Sequence, residues 1–286
     1  MKRYADRYFE SSDGLRLYSR DYAANVADHP TPVLCLPGLT RNSRDFEALA
    51  NVLADKRRVI SPDLRGRGLS EYDSNWQNYH PVQYMADIFL LLEQLEIPQV
   101  VIVGTSLGGW MAMLMSYERP DVVTGAVLND IGPEANAEGL ARVVNTTGTL
   151  ETVDKVSAAI EQTRSCYEIA FPDWTDEQWR SYTQATYRQR PDGRFDLNYD
   201  RNIGRAAREG ASGLTHDPWQ LFDALCEKPV LLLHGALSDI LTEEIIVKMR
   251  DRQPDLNIAT VPNRGHAPLL DEQEAINAIN DFIARL

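Results

Sequence analysis

The sequence predicts an α/β fold: a mostly parallel central sheet of about eight strands, flanked by helices, with a helical cap inserted after the sixth strand. Short apolar runs rich in β-branched residues alternate with amphipathic stretches along most of the chain, as in repeated β-α units. One such run, Val100–Val103, is followed by Gly-Thr-Ser-Leu-Gly and then by a helical stretch. That pattern is typical of a serine held on a sharp strand-to-helix turn. The alternation stops after residue 132 and resumes near residue 216, which indicates an insertion.

The first part of the chain predicts an opening hairpin followed by β-α units. Asp13-Gly14 is a hairpin turn signal between two alternating segments. Further along, Arg119-Pro120 ends the helix that follows the serine turn. In chain order, the predicted elements are the strands Tyr4–Phe9 and Leu15–Tyr22, the strand Val33–Leu36, the helix Arg44–Leu53, the strand Arg58–Ser61, the helix Val82–Leu95, the strand Val100–Val103, the helix Trp110–Tyr117 and the strand Thr124–Leu128.

The second part predicts the cap and the return to the core. Residues 133–215 contain helical stretches such as Leu150–Ile160 and Thr175–Tyr187, and no buried strand is predicted there. The predicted organisation is therefore a core in two parts, 1–132 and 216–286, with the cap at 133–215. The core resumes with four segments: Pro218–Leu225, the strand Pro229–Leu233, the strand Leu256–Val261 and the amphipathic helix Asp271–Leu286.

Composition excludes several classes of partner. A net charge of −13 argues against nucleic acid and anionic membranes, because little is present to neutralise phosphates. Three scattered cysteines are too few for a disulfide framework, and no metal-binding motif is visible. The first residues carry no apolar run, and no segment approaches the length of a membrane span. We expect a cytoplasmic enzyme that acts on a small molecule, and the sequence predicts no particular oligomeric state.

Ser106 is the predicted nucleophile, and it requires a base and an orienting acid. In this arrangement the acid and then the histidine follow the serine along the chain, each in a loop after a strand. His266 lies after the last predicted strand, and Asp239 follows the strand before it. Asp130 also ends a strand, but its position favours a hydrogen-bonding role in the Gly132-Pro133 turn. The predicted triad is therefore Ser106, Asp239 and His266.

These motifs resemble those of the α/β-hydrolase family over nearly the whole chain. Leu36-Pro37-Gly38-Leu39 resembles the family's oxyanion loop, although many members have His-Gly where this chain has Pro37-Gly38. Some relatives take their acid from the position that Asp130 occupies. The resemblance implies that the backbone N–H groups of Leu39 and Leu107 form an oxyanion hole. It also implies an acyl-enzyme mechanism that needs no metal or organic cofactor.

Within the family, the serine triad is shared by several activities, and we favour hydrolysis of a carboxylic ester, a lactone or a thioester of a small apolar acid. The alternative is carbon–carbon bond hydrolysis of a vinylogous 1,5-diketone, which carries a carboxylate, so that a cap or loop arginine in the pocket would favour it. A ligand-binding protein on a hydrolase fold is a further alternative, which a complete triad disfavours. The candidate substrate-binding residues are Arg41, Trp110, Trp174 and Trp179, and the candidate carboxylate-binding arginines are Arg41, Arg164 and Arg188.

Overall fold

An eight-stranded sheet forms the centre of the protein. The computed structural model describes residues 3–24, 30–210 and 216–286. Its strands are β1 (Ala5–Glu10), β2 (Arg16–Tyr22), β3 (Val33–Leu36), β4 (Val59–Asp63), β5 (Val100–Thr105), β6 (Val123–Asn129), β9 (Val230–Gly235) and β10 (Asn257–Val261). The strand order across the sheet is β1-β2-β4-β3-β5-β6-β9-β10.

The sheet is parallel except at one edge. β1 and β2 form an antiparallel hairpin, and β2 pairs antiparallel with β4. From β4 to β10 all neighbouring strands are parallel, so their carboxyl ends lie at one edge of the sheet. The predicted fold class is confirmed. β6 and β9 are direct neighbours although the cap separates them in sequence.

Helices cover both faces of the sheet. The helices are α1 (Glu47–Leu53), α2 (Pro81–Gln94), α3 (Leu107–Glu118), α4 (Ala137–Thr146), α5 (Val156–Tyr167), α6 (Asp176–Thr186), α7 (Asn202–Glu209), α8 (Pro218–Cys226), α9 (Glu243–Arg252) and α10 (Gln273–Ile283). Side chains of β5 alternate between two buried clusters: Val100 and Ile102 pack with α2, α3 and α8, whereas Val101 and Val103 pack with α1 and α10. A strand buried on both faces needs a continuous apolar run, which explains the sequence of β5.

The cap follows the sixth strand, as predicted, and contains α4 to α7. It also holds a small antiparallel sheet of β7 (Tyr187–Gln189) and β8 (Phe195–Leu197), which the sequence does not predict because such short strands carry too little pattern. The first predicted cap helix begins at Val156 instead of Leu150, since Val153 pairs in extended conformation with Phe195. The boundaries of the cap at 133 and 215 stay a prediction, and residues 211–215 lie outside the described residues.

In the described part of the chain, no helix is both long and apolar enough to cross a membrane.

Candidate active site

Ser106 lies on a strained turn between β5 and α3. Its backbone has φ 51° and ψ −114°, a left-handed conformation that non-glycine residues seldom adopt. The Ser106 N–H donates to the Asn129 carbonyl (3.0 Å), which ties the turn to the end of β6. The serine hydroxyl is thereby held above the carboxyl edge of the sheet, as predicted from the Gly-x-Ser-x-Gly motif.

The two glycines of this turn leave no room for a side chain. A Cβ on Gly108 would lie 2.0 Å from the backbone oxygen of Leu36, and one on Gly104 would lie 2.4 Å from the backbone of Gly108. Both contacts involve backbone atoms, so a side chain at either glycine could be accommodated only if α3 moved away from the neighbouring strands. The close approach explains why the motif needs glycine at these positions.

We expect Gly108→Ala to destabilise the protein by at least about 3 kcal/mol, the upper part of the range for overpacked sites. Urea denaturation followed by circular dichroism measures the change. Gly38→Ala is the matched control, because its Cβ would meet the Arg41 side chain at an ordinary 3.5 Å and its backbone conformation suits alanine. A Gly108→Ala midpoint equal to that of wild type would contradict this packing.

His266 connects Ser106 to a carboxylate, and that carboxylate belongs to Asp130. The distances are 2.8 Å from His266 Nε2 to Ser106 Oγ and 2.8 Å from His266 Nδ1 to Asp130 Oδ2. An ionised carboxylate only accepts hydrogen bonds, so Nδ1 carries the proton and Nε2 accepts from the serine hydroxyl. The histidine side chain is 8% exposed and the aspartate is fully buried.

Asp130 is held in place on both carboxylate oxygens. Its Oδ1 accepts the backbone N–H of Gly235 (2.8 Å), and its Oδ2 accepts the Ser238 hydroxyl (2.6 Å) in addition to the histidine. Its backbone also has a positive φ of 56° directly after β6. These contacts come from the neighbouring strand β9 and the loop after it. They satisfy a buried charge that would otherwise be costly.

The prediction that Asp239 orients His266 is wrong. The Asp239 carboxylate forms a two-pronged ion pair with Arg142 of α4, at 2.6 Å to Nε and 2.8 Å to Nη2. Burial raises the pKa of Asp239, but the hydrogen bonds and charge of Arg142 outweigh it and lower the pKa overall. Because β6 and β9 are neighbours, Asp130 and Asp239 leave the sheet side by side. The turn after β6 brings Asp130 to the histidine, and the cap arginine holds Asp239.

Leu39 and Leu107 are the residues whose backbone N–H groups the family resemblance assigns to an oxyanion hole. Leu107 is the first residue of α3, where amides have no partner within the helix. Neither amide donates a hydrogen bond to another group of the described chain. Both residues line the same cavity as Ser106. Their role in binding an oxyanion stays a prediction.

Arg67 supports the loop that carries Leu39, and the sequence does not single it out for this part. Its guanidinium is fully buried and donates from Nε (3.0 Å) and Nη2 (2.8 Å) to the Leu39 carbonyl. A third hydrogen bond runs from Nη1 to the Arg65 carbonyl (2.7 Å), and the cation lies 4.5 Å from the centre of the Tyr84 ring. Holding the Leu39 carbonyl fixes the orientation of this loop. No local pattern separates Arg67 from an exposed loop arginine, since its partners are brought to it by the fold.

Two cavities meet at Ser106. The first, called the apolar chamber, has a volume of about 360 Å³, and the second, called the polar chamber, has a volume of about 80 Å³. Ser106 and Leu39 line both. The apolar chamber is otherwise lined by residues that include Leu107, Trp110, Ile131, Pro133, Val143 and Ile203. The polar chamber is lined by residues that include Thr40, Arg41, Thr105, Arg142, Tyr167 and His266.

Of the predicted substrate-binding tryptophans, only Trp110 lines a chamber, and it lines the apolar one. Trp174 and Trp179 instead pack into an aromatic cluster with Phe171, which stacks on Trp174 at 3.8 Å between ring centres. Neither lines the apolar or the polar chamber among the described residues. Their place in a cap cluster explains why aromatic content alone did not locate the pocket.

Arg41 lines the polar chamber, but its guanidinium is already engaged. It binds both oxygens of Asp45 at 2.7 Å, donates to the Thr186 hydroxyl at 2.6 Å and lies 3.8 Å from the centre of the Tyr182 ring. Arg164 pairs with Asp176 on the surface of the cap. Neither Arg164 nor Arg188 lines a chamber in the described part of the chain. The predicted carboxylate-binding arginines therefore do not offer a free guanidinium to Ser106.

Within the described residues, no group of three or more His, Cys, Asp or Glu side chains is arranged to hold a metal ion.

The model of the α/β-hydrolase fold family matches residues 31–273 of this chain. The chain belongs to the α/β-hydrolase family. A solved α/β-hydrolase from Novosphingobium aromaticivorans superimposes with a TM-score of 0.92 at 42% identity, and the match covers 100% of both chains.

Two curated relatives give more detail on this α/β-hydrolase. The 3-hydroxybutyrate-oligomer hydrolase of Cupriavidus necator is 32% identical over 84% of each chain. The 2-(acetamidomethylene)succinate hydrolase of Mesorhizobium japonicum is 27% identical, over 88% of this chain and 87% of its own. Both relatives are named as hydrolases, and hydrolase activity is therefore the function class of this family member. The order serine, acid, histidine along the chain is kept when Asp130 replaces Asp239 in the site.

Proposed function

We propose that this α/β-hydrolase cleaves esters of small, largely apolar carboxylic acids through an acyl-enzyme on Ser106. The observation that carries the proposal is the apolar chamber of about 360 Å³ at the Ser106 hydroxyl, beside the hydrogen-bonded chain to His266 and Asp130. A short acyl chain fits such a chamber, and its burial there supplies binding energy. Lactones and thioesters of the same acids share this chemistry.

The proposed reaction divides hydrolysis into two acyl transfers. His266 accepts the proton of Ser106 as the serine oxygen attacks the ester carbonyl, and Asp130 stabilises the resulting imidazolium. The negative oxygen of the tetrahedral intermediate accepts hydrogen bonds from the N–H groups of Leu39 and Leu107. His266 then gives its proton to the departing alcohol oxygen. Water, deprotonated by the same histidine, attacks the acyl-enzyme and releases the acid.

One relative supports an ester substrate. The Cupriavidus necator relative is named for 3-hydroxybutyrate oligomers, in which units of a four-carbon acid are joined by ester bonds. A four-carbon acyl group fits within the apolar chamber next to Ser106 with room for a longer chain. We therefore propose short-chain acyl esters, including those of 3-hydroxybutyrate, as the substrate class.

Carbon–carbon bond hydrolysis of a diketone is less well supported. That chemistry would be favoured by a free carboxylate-binding arginine at Ser106, and Arg41, Arg164 and Arg188 do not provide one. Arg142, the other arginine of the described chain that lines the polar chamber, could bind a carboxylate of either substrate class and so does not favour the diketone. A binding protein without catalysis is disfavoured for a different reason. The chain Ser106–His266–Asp130, with both carboxylate oxygens satisfied, is an arrangement that ligand binding alone does not need.

A series of p-nitrophenyl esters from acetate to decanoate tests the proposal. We expect an initial burst of one p-nitrophenolate per enzyme, with kcat/KM rising from acetate through butyrate because each added methylene is buried in the apolar chamber, and falling only for chains too long for its volume of about 360 Å³. Mass spectrometry of the quenched burst should locate the acyl group on the peptide that contains Ser106. No release from any ester, together with turnover of a vinylogous diketone, would replace ester hydrolysis by carbon–carbon bond hydrolysis. No turnover of either would favour the binding function.

A further inference from the structure

His266 determines which chamber takes which half of an ester. The group that protonates the leaving oxygen must come within about 2.6–3.2 Å of it. His266 lines the polar chamber and does not line the apolar chamber among the described residues. The alcohol half of a bound ester therefore points into the polar chamber, and the acyl half occupies the apolar chamber.

Among the described residues, Arg142 is the cationic group of the polar chamber that keeps one whole edge of its guanidinium unengaged. A guanidinium has five N–H groups, and the ion pair with Asp239 uses Nε and one hydrogen of Nη2. Nη1 makes no hydrogen bond to another group of the described chain. The edge formed by Nη1 and the second Nη2 hydrogen is a complete fork, and a fork of this shape binds a carboxylate with two parallel hydrogen bonds.

The position of Arg142 is set by contacts between α4 and the loop after β9. Helix α4 lies so close to this loop that a Cβ on Gly139 would be 2.1 Å from the Asp239 carbonyl oxygen. The Asn136 N–H donates to the Ile240 carbonyl (2.9 Å) at the start of the same helix. The Asp239 carboxylate then holds one edge of the guanidinium. The side chain of Arg142 is 27% exposed, so most of it is shielded from water.

One arginine of this chain already binds several carboxylates at once. The buried guanidinium of Arg65 contacts Asp13, Asp73 and Asp87 at 2.6 to 2.9 Å. Arg65 therefore shows, within this fold, that one guanidinium can bind more than one carboxylate, as Arg142 would with Asp239 and a substrate. Arg41 does not compete for it, because Asp45 and Thr186 take up its guanidinium.

We propose that the substrate carries a carboxylate in its alcohol half, bound by the open edge of Arg142. The substrate class is then an ester of a short apolar acid with a small hydroxy acid. Attack by Ser106 breaks the acyl–oxygen bond, the hydroxy acid departs with a proton from His266, and water then hydrolyses the acyl-enzyme to release the short acid. This inference rests on the proposed ester hydrolysis and adds the identity of the leaving group.

Two matched esters test it: 3-(butyryloxy)butyrate, which has a free carboxylate, and its methyl ester, which is neutral at that position. The readout is the ratio of kcat/KM for cleavage of the butyryl ester bond, charged over neutral. We expect a ratio of roughly tenfold to a hundredfold for wild type, because hydrogen bonds to charged partners contribute in that range. Arg142→Gln should bring the ratio close to one, and Arg142→Lys should restore part of it.

Arg164→Gln is the matched control, since Arg164 is another cap arginine paired with an aspartate but lies outside both chambers. It should keep the wild-type ratio. A wild-type ratio near one, or a ratio unchanged by Arg142→Gln, would overturn the inference while ester hydrolysis stands. Wild-type enzyme that cleaves neither ester nor any p-nitrophenyl ester would overturn both.

Inhibition of the wild-type enzyme tests the same contact without a variant. With p-nitrophenyl butyrate as substrate, 3-hydroxybutyrate should inhibit competitively at concentrations at least tenfold lower than 3-hydroxybutyramide. Equal inhibition by the acid and the amide would count against a carboxylate site at Arg142.

Discussion

Ser106→Ala is expected to lower kcat for p-nitrophenyl butyrate by about a millionfold and to abolish the burst. The serine oxygen is the atom that becomes acylated, and no second hydroxyl contacts His266 Nε2 among the described residues. Binding should change little, because the apolar chamber keeps its lining. The residual rate then reflects the oxyanion hole and the bound geometry alone. Stopped-flow absorbance measures the burst, and long incubations measure the residual rate.

Ser116→Ala is the control for this variant. Ser116 is a buried serine near the opposite end of α3 from Ser106, and its hydroxyl donates to the Ala224 carbonyl. It should keep kcat near the wild-type value. A Ser106→Ala enzyme with a kcat within tenfold of wild type would show that hydrolysis uses another nucleophile.

Asp130→Asn is expected to lower kcat by about ten-thousandfold. An asparagine in this place keeps an oxygen for the Gly235 N–H and turns its NH₂ group toward His266 Nδ1. The imidazole then carries its proton on Nε2, facing Ser106, and cannot accept the serine proton. A folded protein with normal thermal stability and this loss of kcat would assign the orienting role to Asp130.

Asp239→Asn is the matched variant, because it makes the same substitution in the loop that follows the neighbouring strand β9. With p-nitrophenyl butyrate, which has no carboxylate for Arg142, kcat should fall by less than about tenfold. The opposite pattern, a large loss for Asp239→Asn and a small one for Asp130→Asn, would restore Asp239 as the acid. Equal, large losses would show that the two carboxylates act together.

The sheet and the serine turn could be predicted because their determinants are local. A strand buried on both faces needs a continuous apolar run, and the Gly104 and Gly108 positions admit no Cβ. The histidine was predictable for a related reason, since it follows the last strand and precedes the closing helix. Patterns of this kind are contained in a few consecutive residues.

The acid and the chamber linings could not be predicted because they depend on contacts between distant segments. Asp130 and Asp239 both follow strands, and only the turn geometry and Arg142 decide which one reaches His266. Trp174 and Trp179 were expected in the pocket, but the cap packs them against Phe171. Arg67 and Arg142 acquire their partners only when the cap and the loops come together over the sheet.

The side-by-side exit of Asp130 and Asp239 from β6 and β9 also bears on how such enzymes diverge. In a chain that carries a carboxylate after each of the two strands, a change in turn geometry can change which carboxylate orients the histidine. The histidine itself keeps its position. A chain that carries both carboxylates during such a change always has one of them available to the histidine. In this chain the second carboxylate, Asp239, makes no hydrogen bond to the histidine. Asp239 is available to hold an arginine of the cap. Substitutions at this ion pair can therefore change substrate preference while the histidine keeps its acid.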